Sequence, residues 1–183
     1  MSHSGAAERR TDVAYVLVKL RVRGVEHLLL NAHRKWGDWS LIGGHVEPSD
    51  SDWYAAAVRE ASEELAPLRY GEDIEVGPDE IGRLEWGPVA SRSAGGALTE
   101  YRARCYALRF KSDPRACLSR LSESDFVLLQ TSELTNEPRV SSVVERAARL
   151  LPGGWSELPL AWDADLNDVP LRPVRAALSA HIG

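Results

Sequence analysis

Apolar and polar positions in the first quarter of the chain follow the alternation that is typical of strands. Residues 13–23 are rich in aliphatic side chains, and in their second half apolar residues alternate with basic ones. Gly24 interrupts the pattern, and residues 26–31 resume it as the second strand of a hairpin. A segment rich in Trp and Gly follows at 36–44, and a loop follows at 46–52. The pattern predicts a hairpin that leads into a glycine-rich turn.

The clearest helical pattern covers residues 53–65. Asp52 is a suitable N-cap for this helix, and Pro67 ends it. At helical spacing the apolar side chains share one face, which consists of Tyr54, Ala57, Val58, Ala61 and Leu65. The other face is charged and consists of Arg59, Glu60, Glu63 and Glu64. The pattern therefore predicts an amphipathic helix with an acidic side.

The middle of the chain has the composition of strands. We predict strands and turns over residues 74–92, with breaks at Gly77-Pro78 and at Gly87-Pro88. A long strand is predicted at 98–110 and a short apolar one at 126–130.

Two further helices are predicted from the residues at their N-termini. Asp113-Pro114 is typical of a helix start, and this helix can extend to about Leu121. Ser142 followed by Glu145 has the spacing of a capping box, which predicts a helix that ends at Leu151.

The chain divides into three segments. Residues 1–11 are polar and small, and predict a flexible N-terminal tail. Residues 12–151 contain the strong strand and helix patterns and form the predicted domain. Residues 152–183 are a proline-punctuated extension with one short predicted helix at 174–181. The apolar side chains of the extension predict that it packs on the domain or on a partner subunit.

Composition and charge exclude several classes of function. The chain has 183 residues, of which 44% are hydrophobic and 27% charged, as in an ordinary globular domain. A net charge of -5 disfavours a stable nucleic-acid complex. There is no apolar run that could span a bilayer and no signal core near the N-terminus, so we expect a cytoplasmic protein without a membrane partner. Cys105 and Cys117 lack the spacing of a metal site and are interpreted as packing residues.

The acidic helix face is the strongest candidate for chemistry. Glu60 lies three and four residues before Glu63 and Glu64, so the three carboxylates project from neighbouring positions. Mg²⁺ or Mn²⁺ would relieve their repulsion, since hard cations prefer carboxylate oxygens. Arg59 is four residues before Glu63 and could orient it. The alternative is an acidic face that is only solvated.

Together with the preceding glycines, this helix resembles the signature of the Nudix hydrolases. That signature places a Gly ahead of an Arg-Glu pair, an aliphatic residue and a Glu-Glu pair. The matching residues here are Gly44, Arg59, Glu60, Ala61, Glu63 and Glu64. Glu47 and the Trp39-Ser40-Leu41 segment are also similar to the family's approach to this motif, and the resemblance covers roughly residues 13–151.

Three departures from the signature alter the loop that precedes the helix. The spacing from Gly44 to Arg59 is one residue longer than in the family. The isolated Glu of the signature is replaced by either Asp50 or Asp52, and the closing Gly is Ala66. These changes leave the carboxylates of the helix in place but put the loop geometry in question.

The resemblance implies a Nudix-type α/β/α sandwich with a mixed β-sheet, which is an α/β fold. It also implies a divalent metal, Mg²⁺ or Mn²⁺, held by Glu60, Glu63 and Glu64 with the Gly43 carbonyl as a further ligand. Arg59 would then orient a ligand, and catalysis would depend on Glu63 and Glu64.

Other residues could complete the site. Family members often use an acid just before the strand that leads into the last helix, and Glu123 and Asp125 occupy that position as base, ligand or plain turn residues. The remaining candidates could stack on a base or contact phosphate, or they could be packing or exposed residues. They are His33, Arg34, Lys35, Trp36, Trp39, His45, Arg102 and Arg104.

The resulting hypothesis is a hydrolase that cleaves a pyrophosphate bond in a nucleoside diphosphate linked to another moiety. Its expected partner is a small nucleotide-type substrate, and the oligomeric state is open, a homodimer included. The alternatives are a Nudix-fold nucleotide-binding or regulatory module with weak or no turnover, and an interaction domain whose acidic helix is structural. The sequence does not identify the nucleotide.

Overall fold

A computed structural model describes residues 9–33 and 35–171 of the chain. Over those residues eight strands and three helices form. The strands are β1 (Arg9–Leu17), β2 (Lys19–Val22), β3 (Val25–Ala32), β4 (Trp39–Ser40), β5 (Ile42–His45), β6 (Ile74–Ala90), β7 (Leu98–Phe110) and β8 (Phe126–Gln130). The helices are α1 (Trp53–Glu64), α2 (Pro114–Leu118) and α3 (Ser142–Leu150).

The strands form two sheets. The first has the order β5-β1-β7-β6, and it is mixed because β1 runs parallel to β7 but antiparallel to β5. The second has the order β2-β3-β4, with β8 antiparallel to β3. The strand predicted at 13–23 divides at Val18, since β1 belongs to one sheet and β2 to the other. A mixed sheet is therefore confirmed.

Two apolar layers cover opposite faces of the strands. Side chains alternate along β1, so Ala14 and Val16 lie in one layer, while Val13, Tyr15 and Leu17 lie in the other. The first layer includes the buried alanines of α1, and the second includes the buried face of α3. Helices thus pack on both sides of the strands, which confirms the predicted α/β/α sandwich.

Helix α1 has the predicted N-cap and ends one residue before the predicted Leu65. The Asp52 carboxylate accepts a hydrogen bond from the Ala55 backbone N–H at 2.8 Å, and Leu65 is the C-cap. Small residues, among them Ala57 and Ala61, are buried and let the helix approach β5 and β1 closely. The acidic residues are consequently held at the edge of the sheet.

The prediction of breaks within residues 74–92 is wrong. β6 is one continuous strand paired with β7, and the two Gly-Pro pairs coincide with irregular register: shifts lie between Val76 and Glu80 and between Trp86 and Val89. A Gly-Pro pair can interrupt hydrogen bonding locally as a bulge without turning the chain, because the neighbouring strand maintains its direction.

The predicted capping box at Ser142 is also wrong. Ser141 is the N-cap of α3, no side chain caps it, and Ser142 is already helical. Glu145 instead lies 3.9 Å from Arg149 one turn later. Helix α2 ends at Leu118, before the predicted Leu121.

The first strand begins before the predicted start of the domain. β1 begins at Arg9, which pairs with Thr99, so residues 9–11 belong to the sheet and not to a tail. Residues 1–8 and the predicted helix at 174–181 lie outside the described residues. None of the helices that the structure describes is long and apolar enough to cross a membrane.

Residues 152–171 run beside the edge of β2. The Ala161 and Leu166 N–H groups donate to the Lys19 and Arg21 carbonyls at 2.7 and 2.9 Å. The Lys19 ammonium, on a side chain that is only 2% exposed, lies 3.1 Å from the Trp155 carbonyl oxygen. A buried cation therefore holds this segment to the domain.

Candidate active site

A cleft of about 480 Å³ opens where β5, the start of β1 and the N-terminal part of α3 meet. One wall consists of the β5 glycines and of α1 carboxylates. The facing wall consists of residues from the end of β6, the 91–93 turn and β7. The central lining residues are Gly43, Gly44, Glu60, Glu64, Trp86, Ser91, Arg92 and Tyr101.

Two glycines occupy neighbouring positions of β5 where this strand borders the cleft. Gly43 has a φ of 135°, and a Cβ there would overlap the Ala14 carbonyl oxygen of β1. A Cβ on Gly44 would lie 2.5 Å from Glu60 Oε1. The first glycine lets β5 pair with β1, and the second leaves room for the carboxylate that enters the cleft.

Glu64 is anchored directly to β5. Its Oε2 accepts a hydrogen bond from the Gly43 N–H at 2.9 Å. Burial raises the pKa of Glu64 to about 7. The nearby Glu60 carboxylate adds to this rise in pKa, and the hydrogen bond from the Gly43 N–H partly offsets it. This carboxyl group is thus oriented by the backbone and sits where its own negative charge is costly.

Glu60 lies beside Glu64 on the same helix face and is paired with Arg59. Arg59 Nη1 donates to Glu60 Oε1 at 2.8 Å, and the carboxylate is 12% exposed. Burial raises the pKa of Glu60, while the bond from Arg59 opposes the shift. Two carboxylates therefore converge at the β5 glycines, and the Arg59 guanidinium is bonded to one of them.

Arg59 ties the loop before α1 to the helix. Its Nε and Nη2 donate to the two Asp50 oxygens at 3.1 and 3.0 Å, and Nη2 also donates to the His45 carbonyl at 2.9 Å. Glu63, the partner predicted for Arg59, lies 3.5 Å from Nη1, so the shorter bonds go to other groups. Arg59 mainly orients Glu60 and the loop.

The structure distinguishes the two loop aspartates that the sequence left open. Asp50 accepts both bonds from Arg59 and a third from the Glu47 N–H at 2.8 Å, and the bonds from Arg59 keep the pKa of Asp50 below its usual value. Asp52 is the helix cap. Asp50 is six residues after Gly44, so the extra residue of the motif falls between Asp50 and Arg59.

Three predicted acids lie apart from the cleft lining. Glu63 is on α1, but its carboxylate is 61% exposed and faces outward. Glu123 and Asp125 are in the turn before β8, where the Asp125 Oδ1 accepts from Ser124 at 3.3 Å. Within residues 9–33 and 35–171, no three His, Cys, Asp or Glu side chains are grouped closely enough to hold a metal ion. The structure brings together Glu60 and Glu64, with Gly43 beside them.

The aromatic and histidine candidates divide between cleft and core. Trp36 lines the cleft and stacks on His33 with ring centroids 4.0 Å apart, whereas Trp39 is buried in the core. His45 also lines the cleft, and burial lowers its pKa. Lys35 lies over the Trp36 ring at 5.5 Å. Arg34 lies outside the described residues.

Arg102 and Arg104 share one face of β7, but both are engaged away from the cleft. Arg102 donates two hydrogen bonds to Asp12, each at 2.8 Å. Arg104 lies 3.4 Å from Glu80 and stacks over the Trp53 ring. Neither arginine is placed to contact a ligand in the cleft.

Sequence reasoning missed the wall formed by Trp86, Ser91, Arg92 and Tyr101. The signal that could have located it is the Gly87-Pro88 pair. Read as a bulge and not as a break, it keeps Trp86 in a strand and sets the following turn against the cleft.

Comparison with known proteins relates one part of the chain to a known domain. Residues 10–95 match the family model of the NUDIX domain. No curated protein matches the sequence.

Several solved structures resemble the fold. Shewanella oneidensis NrtR is 18% identical, with a TM-score of 0.50, covering 76% of this chain and 62% of that one. A C. elegans Ap4A hydrolase is 19% identical, with a TM-score of 0.48 and coverages of 69% and 84%. RenU, a Nudix hydrolase from M. smegmatis, is 21% identical, with a TM-score of 0.43 and coverages of 78% and 84%. The chain thus spans less than two thirds of the NrtR chain, and at these identities the likeness is one of fold.

Proposed function

We propose that this protein is a Mg²⁺- or Mn²⁺-dependent hydrolase that cleaves a pyrophosphate bond in a nucleoside diphosphate linked to another moiety. One observation carries the proposal. Two largely buried carboxylates, Glu60 and Glu64, converge at the two glycines of β5 in the wall of the cleft. Such a site repels an anionic substrate unless a cation accompanies it.

The residues at the β5 glycines fit a small hard cation. Mg²⁺ is usually held by one or two protein carboxylates and completes its shell with waters and phosphate oxygens. Glu60 and Glu64 would supply those carboxylates, and the Gly43 carbonyl would be a further oxygen ligand. Glu63 would join them by changing rotamer, which its 61% exposed side chain permits.

The protein's own groups would orient the reaction. The Gly43 N–H holds Glu64, and Arg59 holds both Glu60 and the Asp50 loop. When bound, the metal supplies charge neutralisation at the diphosphate and makes a coordinated water more acidic. Glu63 or Glu64 would accept the proton of the attacking water at a carboxylate oxygen. We assign no step to Glu123 or Asp125, because neither lines the cleft.

A substrate panel tests the proposal. Nucleoside triphosphates, dinucleoside polyphosphates, nucleotide sugars and dinucleotide cofactors are incubated with the protein and Mg²⁺ or Mn²⁺, and phosphate is measured after a coupled phosphatase. We expect release from at least one class and its loss in EDTA. Absence of release from every class with either metal would refute the proposed activity.

A nucleotide-binding or regulatory module is the second candidate, and one observation favours it. Arg59 Nη1 forms an ion pair with Glu60 Oε1 at 2.8 Å, so a metal ion must compete with Arg59 for this carboxylate. Under this alternative, nucleotides bind in the cleft without turnover. Calorimetry with the same panel distinguishes the two, since a module gives binding heat but no phosphate.

A further inference from the structure

Two aromatic rings stand side by side in the cleft wall opposite the carboxylates. Trp86 of β6 and Tyr101 of β7 are direct cross-strand partners. Their ring centroids are 5.0 Å apart and their planes differ by 7°, so the rings are stacked in parallel. Both side chains are half-buried and line the cleft.

The pair is held rigidly before any ligand arrives. The Tyr101 hydroxyl donates to Ser91 Oγ at 2.6 Å, and Ser91 is 2% exposed. Backbone bonds to Ala97 at 3.0 Å and from Gly96 at 2.8 Å fix the turn that carries Ser91. A preorganised ring loses little freedom when a ligand stacks on it.

A bulge in β6 creates this wall. Gly87 has a φ of 122°, and a Cβ there would lie 2.6 Å from the Thr99 carbonyl oxygen. The register shift between Trp86 and Val89 then allows Trp86, Val89 and Ser91 all to line the cleft. A regular strand would send alternate residues to opposite faces.

The other aromatic group of the cleft is already covered. Trp36 has His33 stacked at 4.0 Å and the Arg92 guanidinium 4.5 Å from its centroid, and Arg92 is anchored by Asp38 at 2.8 Å.

Trp86 has Tyr101 stacked on its ring and the Arg146 guanidinium 5.9 Å from its centroid. Tyr101 has Trp86 as the ring contact found among the described residues and lines the cleft, so Tyr101 provides the stacking face of the pair.

The register places Tyr101 at a useful distance from the carboxylates. Tyr101 is level with Thr11 on β1, while Gly44 is level with Ala14, three residues further along. Three residues of strand and two strand spacings combine to about 14 Å between Tyr101 and Gly44. An extended nucleoside diphosphate can span this separation.

We infer that the Trp86–Tyr101 pair is the subsite that stacks the nucleobase of the ligand while its diphosphate lies at Gly44, Glu60 and Glu64. The inference rests on the proposed function for the diphosphate end. Its ligand class is a planar heteroaromatic ring joined to a diphosphate. Stacking tolerates any base, since every base has a π face.

The test measures binding separately from turnover. Calorimetry in Mg²⁺ compares α,β-methylene-ADP, which carries a base, with methylenediphosphonate, which does not. We expect Tyr101→Leu to weaken binding of the first ligand roughly 5- to 150-fold, the range for loss of one base stack, and to leave binding of the second unchanged. Trp162→Leu, which removes a half-buried Trp outside the cleft, should change neither.

Conservative variants guard against loss of folding. Tyr101→Phe keeps the ring, and Trp86→Phe keeps a stack, so both should retain most of the affinity. In the native protein, the base-containing analogue should also quench tryptophan fluorescence more than methylenediphosphonate does, and Trp86→Phe should diminish that difference.

The outcomes separate this inference from the proposed activity. Base-dependent binding without any turnover on the substrate panel would support the subsite and contradict the hydrolase. Turnover combined with an equal effect of Tyr101→Leu on both ligands would overturn the subsite, and would leave the pair as a sheet-stabilising contact. Failure of the native protein to bind the base-containing analogue more tightly than methylenediphosphonate would overturn it as well.

Discussion

The two walls of the cleft hold their side chains in different ways. Glu60 and Glu64 come from one helix, and their relative position follows from helical spacing alone. Trp86 and Tyr101 come from two strands and meet only because β6 and β7 pair in one particular register. The first wall is local in sequence, whereas the second depends on an interaction between distant segments. Mutations should therefore affect the first through charge and the second through backbone geometry.

The largest effect is expected from the carboxylates. Glu64→Gln and Glu63→Gln should each lower kcat by at least roughly 10²- to 10³-fold, because charge that stabilises the transition state is lost. Glu75→Gln, on an exposed glutamate of β6, is the control and should retain activity. Steady-state kinetics and circular dichroism provide the measurement. Rates close to those of the native protein in both variants, with the fold intact, would exclude the mechanism.

A smaller effect is expected from Arg59→Ala. Arg59 would act by orienting Glu60 and the Asp50 loop, and loss of such a supporting group typically costs roughly 10- to 100-fold. Metal affinity and kcat are measured together. If the loss equals that of Glu64→Gln while metal affinity is unchanged, Arg59 must contact the substrate directly.

Substituting one glycine in each wall is the most direct comparison of the two walls. Gly44→Ala places a methyl group against the Glu60 carboxylate, which is the end of a side chain and can shift, so we expect metal affinity to fall about 10-fold while stability changes little. Gly87→Ala meets the Thr99 backbone at a φ of 122° and should cost about 1–3 kcal/mol of stability.

Thermal unfolding and metal titration of both glycine variants are the measurements. Gly24→Ala is the control for φ alone, since its φ is 76° and no atom lies within 4 Å of the added Cβ. Equal destabilisation by Gly44→Ala and Gly87→Ala would show that both walls are constrained in the same way.

The same contrast explains what could be predicted from the sequence. The bounds of α1 and its Asp52 cap follow from local spacing, and they were predicted within one residue. The aromatic wall was not predicted, because a Gly-Pro pair looks like a break until β7 is known to lie beside it.

The prediction of the α3 N-cap was wrong for a related reason. The Ser141 N–H donates to the Trp39 carbonyl at 2.8 Å, and the Ser141 hydroxyl bonds to Ser40 at 3.3 Å. These tertiary bonds hold Ser141 in the extended N-cap conformation, so the helix starts earlier than the capping-box spacing predicts.

Helical spacing predicted Glu63 as the partner of Arg59. In the structure the loop before α1 brings Asp50 closer to the Arg59 guanidinium than Glu63 is.

The smallest effect on activity is expected far from both walls, at Lys19. Its ammonium is buried beneath residues 155–156 and bonds to both of their carbonyls at 3.1 Å and to Glu26 at 3.3 Å. Lys19→Met keeps the apolar length but leaves buried carbonyl groups without a donor, which should lower the free energy of unfolding by about 1–3 kcal/mol. The cleft does not include this residue, so kcat should not change.

Arg21→Met is the matched control for the Lys19 variant. Arg21 lies two residues away on β2 and faces the same glutamate, but it is 40% exposed and 3.9 Å from the Glu26 carboxylate. Its loss should change stability by less than about 0.5 kcal/mol. Urea denaturation compares the two variants with the native protein. Equal stability of Lys19→Met and Arg21→Met would show that the segment after Leu151 is held by its apolar side chains and not by the buried cation. A fall in kcat for Lys19→Met, at a temperature where it is fully folded, would show instead that this segment supports the geometry of the cleft.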